Sequence, residues 1–267
     1  MDHDQNYKNL ILDYPREALA FFAASEAQSI DSDARIVPVR EEQLKERLGE
    51  RFRELDVPLL VEWGDGRRSA LLFVLEEETD PRRFSIHRLA HYCLDLSALF
   101  GTERVVPVVI FLHPGRYPEQ LRLGSENRDY LQFSYLSTAL FSTPARQHMD
   151  SRNIVARLTL PGMAYPPEDK LAIYAAATRG LMELETDPER RLKYADFIDI
   201  YTALDENELA RYQREYVQEH RAMTALSVRM REEGIQLGMQ QGMQQGMQQG
   251  MQKGEAELLL RLVRSKF

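Results

Sequence analysis

Two aliphatic segments joined by a glycine-rich turn constrain the fold of this chain most strongly. Val57–Trp63 and Ser69–Leu75 both have the composition of strands, and Gly64-Asp65-Gly66 between them is typical of a hairpin turn. Further along, Val105–Leu112 is a continuous apolar run rich in Val and Ile, which suits a strand buried on both faces by parallel pairing. Together the three segments predict a mixed sheet.

Helical segments flank and interrupt these strands. The other predicted elements are helical material over residues 5–24 that breaks near Pro15, a short strand at Ala34–Val39, a short helix at Glu41–Leu48, and a helix from about Arg82 to Phe100 that stops at Gly101. The order helix, strand, hairpin, helix, strand predicts an α/β domain with a mixed sheet.

The character of the chain changes beyond about residue 160. Three candidate helices follow a proline-rich stretch: Leu171–Leu184, Glu189–Leu204 and Glu206–Arg231. We therefore predict three regions, namely an α/β domain over residues 1–160, a helical domain over 161–232, and a repeat tail over 233–267.

The tail repeats glycine and methionine every four residues, from Gly234 to Gly254 and from Met239 to Met251. Because a helix turns 100° per residue, a four-residue step overshoots one turn by about 40°, so the stripe winds around the helix. Each glycine also weakens an isolated helix by roughly 1 kcal/mol relative to alanine. Two interpretations stay open: a weakly helical linker, or a self-association helix that forms a homo-oligomer.

Composition excludes several classes of protein. The formal charge is −8, from 42 acidic and 34 basic residues, which excludes a protein held to nucleic acid by bulk charge but not a nuclease with a locally basic groove. The apolar runs are shorter than the roughly 18–20 residues that span a bilayer, so no membrane partner is expected. A single cysteine, Cys93, excludes an internal disulfide, and we expect a soluble, cytoplasmic protein.

Carboxylates cluster at the end of the second hairpin strand, where Glu76-Glu77-Glu78 follows the apolar run. Side chains alternate faces along a strand, so Glu76 and Glu78 would point the same way, with Cα atoms about 7 Å apart. Asp56 lies just before the partner strand, at the same end of the hairpin.

The length of the turn decides whether Asp56 joins these glutamates. A two-residue turn would pair Asp56 with Leu75 and place it on the opposite face, whereas a three-residue turn with Gly66 in the left-handed region would pair it with Val74. In the second register Asp56 is the diagonal neighbour of Glu76. Oxygen-only ligands suit Mg²⁺ or Mn²⁺, although glutamates at a strand end are also typical of a solvated exit into a loop.

Several motifs, taken in order, resemble those of the Rpn family of recombination-promoting nucleases, a transposase-like group within the PD-(D/E)XK nuclease superfamily. The segments that carry the resemblance are His3–Lys8, Asp56–Val61, Glu76–Thr79, Arg88–Tyr92 and Pro107–Gly115, together with the glycine-repeat tail. The resemblance covers essentially the whole chain, and the order and spacing of the motifs are more specific than any one of them.

The resemblance implies a restriction-endonuclease-like core of order α-β-β-β-α-β followed by a helical C-terminal region. It also implies a Mg²⁺- or Mn²⁺-dependent DNA endonuclease linked to recombination or mobile elements. Asp56 and Glu76 would hold the metal, which would activate a water and stabilise charge on the scissile phosphate. The catalytic set would be Asp56, Glu76 and Glu78.

Glu78 departs from the pattern, because the superfamily usually has Lys at this position and the family often has Gln. Unlike Lys, a glutamate cannot offset negative charge beside the phosphate. Either Glu78 acts as a ligand or base, or a basic residue such as Lys8 reaches the site from elsewhere, or this chain is catalytically weak.

Arginines offer further phosphate contacts. Arg82, Arg83 and Arg88 begin the helix after the carboxylates, and they form either a phosphate-contacting rim or an ordinary solvated helix face. Arg67 and Arg68 flank the hairpin turn, at the far end from the carboxylates, and we interpret them as solvated. The glycine-rich turn itself is interpreted as a turn and not as a phosphate site.

Two further readings of the chain belong to other functional classes. A nuclease fold that has lost catalysis could act as a DNA-binding or protein-interaction module assembled by the tail, and a related phosphodiesterase could act on RNA.

A metal pair formed by His87 and His91, with Cys93 nearby, lacks a third convergent ligand, and no Glu lies between the histidines as a zinc-protease motif requires.

Overall fold

The computed structural model describes residues 3–39, 57–76 and 84–226, together with helical positions 228, 239, 243 and 247. Side chains of residues 3, 4 and 69–76 are not described. The predicted helix Glu41–Leu48 lies outside this part of the chain.

Three helices open the described chain: α1 (His3–Asp13), α2 (Pro15–Phe22) and α3 (Ala24–Ala27). The break falls at Tyr14, and Pro15 occupies the first turn of α2. Proline has no N–H to donate and its φ suits the first helical turn, so it ends one helix and begins the next. The break predicted near Pro15 is confirmed.

The main sheet has five strands in the order β1-β2-β3-β4-β7, with β1 antiparallel to β2, β2 antiparallel to β3, and β3, β4 and β7 parallel. The strands are β1 (Arg35–Pro38), β2 (Val57–Glu62), β3 (Arg68–Glu76), β4 (Val105–Phe111) and β7 (Leu136–Ala139). The predicted mixed sheet and the parallel pairing of Val105–Leu112 are confirmed. The chain therefore has a mixed α/β architecture.

Two further strands, β5 (Gln120–Ser125) and β6 (Arg128–Ser134), form a separate antiparallel ribbon that the sequence analysis did not predict. One side of the ribbon packs on the protein through Leu121, Leu131 and Phe133. The other side is open to solvent, and Tyr130 is 75% exposed.

The two faces of the main sheet bury different helices. Val108 and Ile110 of β4 join the larger hydrophobic cluster, which includes α1 and α2, whereas Val109 and Phe111 pack in a second cluster with the next helix, α4 (Ile86–Phe100). Successive residues of a strand point to opposite faces, so the continuously apolar β4 sequence follows from burial on both sides.

The helix α4 begins later than predicted and ends where predicted. The Ser85 hydroxyl accepts a hydrogen bond from the Arg88 N–H, so Ser85 is the N-cap and the helix starts at Ile86 instead of at about Arg82. Gly101 ends the helix with φ 58°, the left-handed conformation that glycine adopts without strain.

The remaining helices are α5 (Ile154–Leu158), α6 (Lys170–Leu184), α7 (Pro188–Thr202), α8 (Glu206–Glu215) and α9 (217–226). The first two helices predicted in this region are confirmed as α6 and α7. The third prediction, one helix over Glu206–Arg231, is wrong because the backbone leaves helical geometry at Tyr216, with φ −118° and ψ 56°. None of the described helices is long and apolar enough to span a membrane.

One hydrophobic cluster runs across the boundary predicted at residue 160. It includes Leu59 of β2 and Ile173 of α6, and the Tyr7 ring of α1 makes edge contacts with Phe197 and Tyr201 of α7 at 5.3 and 5.2 Å. The helical region and the sheet thus share a core.

A polar seam joins α1 to α7 beside this core. The Asp13 carboxylate accepts hydrogen bonds from Lys193 Nζ at 2.6 Å and from the Tyr194 hydroxyl at 2.7 Å. The Tyr14 hydroxyl donates to the Glu185 carboxylate, which also accepts the backbone N–H groups of Thr186 and Asp187. Each of these oxygens has a hydrogen-bond partner, which allows polar groups to remain at the seam.

Removal of the Tyr194 hydroxyl tests this seam. Tyr194→Phe deletes the donor to Asp13, and we expect it to lower the free energy of unfolding by about 1–2 kcal/mol, because Tyr194 is only 1% exposed and the carboxylate loses a partner. Urea unfolding measures the change. Tyr130→Phe, which removes an exposed hydroxyl, is the matched control and should leave the midpoint unchanged; equal effects of the two variants would contradict the seam.

The Asp13 carboxyl gives the seam a dependence on pH. Burial alone would raise its pKa, but the hydrogen bonds from Lys193 and Tyr194 outweigh burial and lower the pKa below its ordinary 3.8. Its contribution is therefore complete above about pH 3.8 and is lost as the pH falls further. We expect Asp13→Asn to lose less stability than the parent chain between pH 7 and 3 in urea unfolding, whereas Glu126→Gln, in the exposed β5–β6 turn, should behave as the parent.

Candidate functional site

The turn between β2 and β3 sets the register of the hairpin. Trp63 N–H donates to the Arg67 carbonyl at 3.0 Å, so the turn has three residues, and Gly66 has φ 85°. The strand pairs continue in step to Val57 opposite Phe73. Of the two registers considered above, this is the one in which Asp56 would be the diagonal neighbour of Glu76.

Glu76 is the last described residue of β3 and pairs with Phe111 of the parallel neighbour β4. It therefore ends a strand that has a neighbour on each side, at the carboxyl edge of the parallel strands. Asp56 and Glu78 lie outside the described residues, as do Arg82 and Arg83. Whether the carboxylates meet stays a prediction.

The two described basic candidates differ in their surroundings. Lys8 is half-buried on α1, and α1 contacts both β2 and β3. Arg88 is exposed in the first turn of α4, one turn of helix from the Ser85 cap. Lys8 thus lies on a helix that packs on the hairpin, and Arg88 lies on the helix that follows it. Each must be near the hairpin to contact a phosphate there.

An aromatic cluster that the sequence analysis missed surrounds Phe111, the pairing partner of Glu76. Phe111 stacks on Tyr117 with ring centroids 3.8 Å apart, and Phe84 makes edge contacts with both rings at 5.6 and 5.9 Å. The Tyr135 ring lies 5.5 Å from that of Phe84. The cluster packs around the last residue of β4.

The phenols of this cluster are anchored to the backbone. The Tyr135 hydroxyl donates to the Pro118 carbonyl at 2.8 Å, and the Tyr117 hydroxyl donates to the His113 carbonyl at 3.2 Å. Burial, with the nearby Glu119 carboxylate and Tyr117, raises the pKa of Tyr135 to about 12, so its proton is retained at neutral pH. Tyr117 and Tyr135, which follow β4 in the sequence, were the residues from which this aromatic cluster could have been predicted.

His87, His91 and Cys93 do not form one metal site. The two histidines are exposed on α4, whereas Cys93 is buried on the side that faces Val109 and Phe111 of the sheet. No group of three or more His, Cys, Asp or Glu side chains able to hold a metal occurs among the described residues. The predicted ligands Asp56 and Glu76 cannot be included, because their side chains are not among those described.

No protein-family model matches the chain, and no significant match to a curated protein or to a solved structure was found. The family resemblance therefore depends on the motifs themselves, and the function of the chain has to be argued from its residues and their placement.

The environment of Cys93 predicts an unreactive thiol. Burial raises the pKa of Cys93 to about 12, and thiolate is the reactive form. Since Cys93 is the chain's single cysteine, labelling with a maleimide at pH 8 reports on one site; we expect it to be slower in the folded chain than in 8 M urea by at least about 100-fold. Equal labelling rates in the two conditions would show that α4 does not cover this face of the sheet.

Proposed function

We propose that this chain is a metal-dependent DNA endonuclease with a restriction-endonuclease-like core, in which Asp56 and Glu76 hold Mg²⁺ or Mn²⁺. A link to recombination or mobile elements is part of the proposal and comes from the resemblance to the Rpn family. The single observation that supports it best is the hairpin register, since of the two registers considered only that of the three-residue turn would make Asp56 the diagonal neighbour of Glu76 if the pairing continued by one residue.

The order of elements also supports the proposal. Among the described residues, the helices α1 to α3, the strands β1 to β3, the helix α4 and the strand β4 follow one another, an order compatible with the one implied by the resemblance. The helical region from α6 onward then corresponds to the helical C-terminal region expected beside the nuclease core.

The donor set fits a hard divalent cation. Carboxylate oxygens from Asp56 and Glu76 are the ligands that Mg²⁺ and Mn²⁺ prefer. A bound ion of this kind supplies a Lewis acid that lowers the pKa of a water molecule and offsets charge on a phosphate. In the proposal Glu78 adds a ligand or accepts the proton of the attacking water.

Phosphate would be positioned by basic side chains around these carboxylates. Lys8 is the candidate on α1, because that helix contacts both hairpin strands. Arg82 and Arg83, which precede α4 in the sequence, and Arg88, in the first turn of α4, are the other candidates. Their charge would attract the DNA backbone without reading its sequence.

Glu78 also favours a second candidate function, a catalytically weak nuclease fold that acts as a DNA-binding or protein-interaction module. A third carboxylate in place of the usual Lys adds negative charge where the phosphate would sit. Three exposed side chains on helical backbone in the tail, Met239, Met243 and Met247, offer the contact surface that such a module would use to form a homo-oligomer.

Plasmid nicking in Mg²⁺ or Mn²⁺ tests the first candidate. We expect metal-dependent cleavage, and we expect Asp56→Ala and Glu76→Ala each to lower it by more than the roughly 10–100-fold that loss of a residue supporting a metal ligand costs. Glu126→Ala is the matched control, since Glu126 is an exposed carboxylate in the β5–β6 turn, away from the hairpin. It should cleave as the parent chain does.

The outcomes separate the candidates. Cleavage that persists in both carboxylate variants would contradict the proposed site. An intact plasmid in both metals, with DNA still retarded in a gel-shift assay, would favour the binding module. A parallel digest of single-stranded RNA distinguishes a DNA endonuclease from a phosphodiesterase that acts on RNA.

A further inference from the structure

A depression of about 290 Å³ lies at the turn end of the β2–β3 hairpin, away from the proposed metal site. Its lining includes Asp33, Arg35, Glu62, Trp63, Arg67 and Arg68. The nine residues of β3 separate it from Glu76 by about 26 Å, at roughly 3.3 Å per residue. The depression therefore cannot be part of the carboxylate cluster.

Arginine predominates in this lining. Glu62 of β2 is the cross-strand neighbour of both Arg35 of β1 and Arg68 at the start of β3, so the three residues share one face of the sheet. Arg68 Nε contacts Glu62 Oε1 at 3.1 Å, whereas Arg35 is exposed and makes no ion pair with any described residue. The third arginine, Arg67, holds Asp65 at 2.6 Å in an exposed pair.

Trp63, which also lines the depression, has an unmet hydrogen-bond donor. Its side chain lies under the guanidinium groups of Arg104 and Arg67, at 4.9 and 5.3 Å from the ring, and it is only 7% exposed. Within the described residues no acceptor reaches Nε1. A buried N–H without an acceptor costs free energy, which an incoming oxygen would recover.

The turn leaves room for a ligand. A Cβ atom built on Gly64 or Gly66 would meet no atom within 4 Å, so the backbone of the turn borders open space. Guanidinium groups donate in a planar fork that matches the oxygens of a phosphate. The site thus combines Arg35, which has no ion pair with any described residue, a second exposed guanidinium group on Arg68, and an accessible cavity.

We propose that this depression binds a phosphate group, with Arg35 and Arg68 as its principal donors. Arg67 assists when its exposed side chain releases Asp65. The phosphate belongs either to a small molecule such as pyrophosphate or to a nucleic-acid backbone. The proposal does not depend on cleavage, because the site lies at the opposite end of β3 from the carboxylates.

Trp63 provides a direct readout, since it is the single tryptophan of the chain. Pyrophosphate is titrated into the full chain at constant ionic strength, with sodium chloride as the balancing salt, and tryptophan emission is followed. We expect a saturable change that chloride alone does not produce. No change up to about 10 mM pyrophosphate would overturn the proposal.

Substitutions locate the binding. Arg35→Gln and Arg68→Gln should each weaken the apparent affinity by about tenfold or more, as expected for loss of a hydrogen bond between charged groups. Arg122→Gln is the matched control, because Arg122 is also an exposed strand arginine that pairs with a carboxylate, Asp129 at 3.8 Å. Equal affinities in the three variants would place the ligand elsewhere and overturn the assignment.

A final arm distinguishes the two sources of phosphate. A short DNA duplex is added to the chain saturated with pyrophosphate, in EDTA and with Glu76→Ala to exclude cleavage. Displacement of pyrophosphate, read from the emission, identifies a nucleic-acid backbone as a ligand of this site. Retention of pyrophosphate while the duplex binds elsewhere supports a small phosphate ligand. Because neither result requires catalysis, failure of the nuclease proposal remains distinguishable from failure of this one.

Discussion

The pairing of β3 on both sides is the constraint on which the rest of the fold depends. The strand is antiparallel to β2, to which a three-residue turn joins it, and parallel to β4, which it reaches only after α4 has crossed one face of the sheet. A parallel neighbour requires such a crossover, whereas a hairpin neighbour does not. The position of β3 therefore sets which face α4 covers, and the opposite face is left for α1, α2 and the C-terminal helices.

Local patterns predicted the elements whose signals lie within a few residues. Gly66 and Gly101 both adopt positive φ, at the turn and at the end of α4, because each lies where the backbone must reverse or stop. The start of α4 was less predictable, since Ser85 competes as an N-cap with the earlier polar residues. The interruption at Tyr216 was missed because residues 206–231 contain no glycine or proline that would mark a break in the helix.

Contacts between distant segments limited prediction of the candidate site. The position of Glu76 relative to the partner strand follows from the length of a local turn. The cluster of Phe84, Phe111, Tyr117 and Tyr135 instead brings together four separate segments, which local patterns do not predict. The same limit applies to Arg157, which is 3% exposed and donates twice to the Ala176 carbonyl in the space that a side chain at Gly180 would fill. The contact between Arg157 of α5 and Gly180 of α6 can be recognised only when the packing of the two helices is known.

An acidic chain can nevertheless contain places that attract phosphate, because charge acts over a short range in salt. The Debye length is about 8 Å at physiological ionic strength. The net charge of the chain is −8, but surface charges that lie farther than this from a cluster of arginines are largely screened there. Glu62 is the cross-strand neighbour of two arginines, and one of them, Arg35, has no ion pair with any described residue although the net charge of the chain is negative. At the other end of β3 the proposed carboxylates need a divalent cation before a phosphate can approach. The two ends of one strand would thus recognise phosphate by opposite means, one through fixed guanidinium groups and the other through a bound metal.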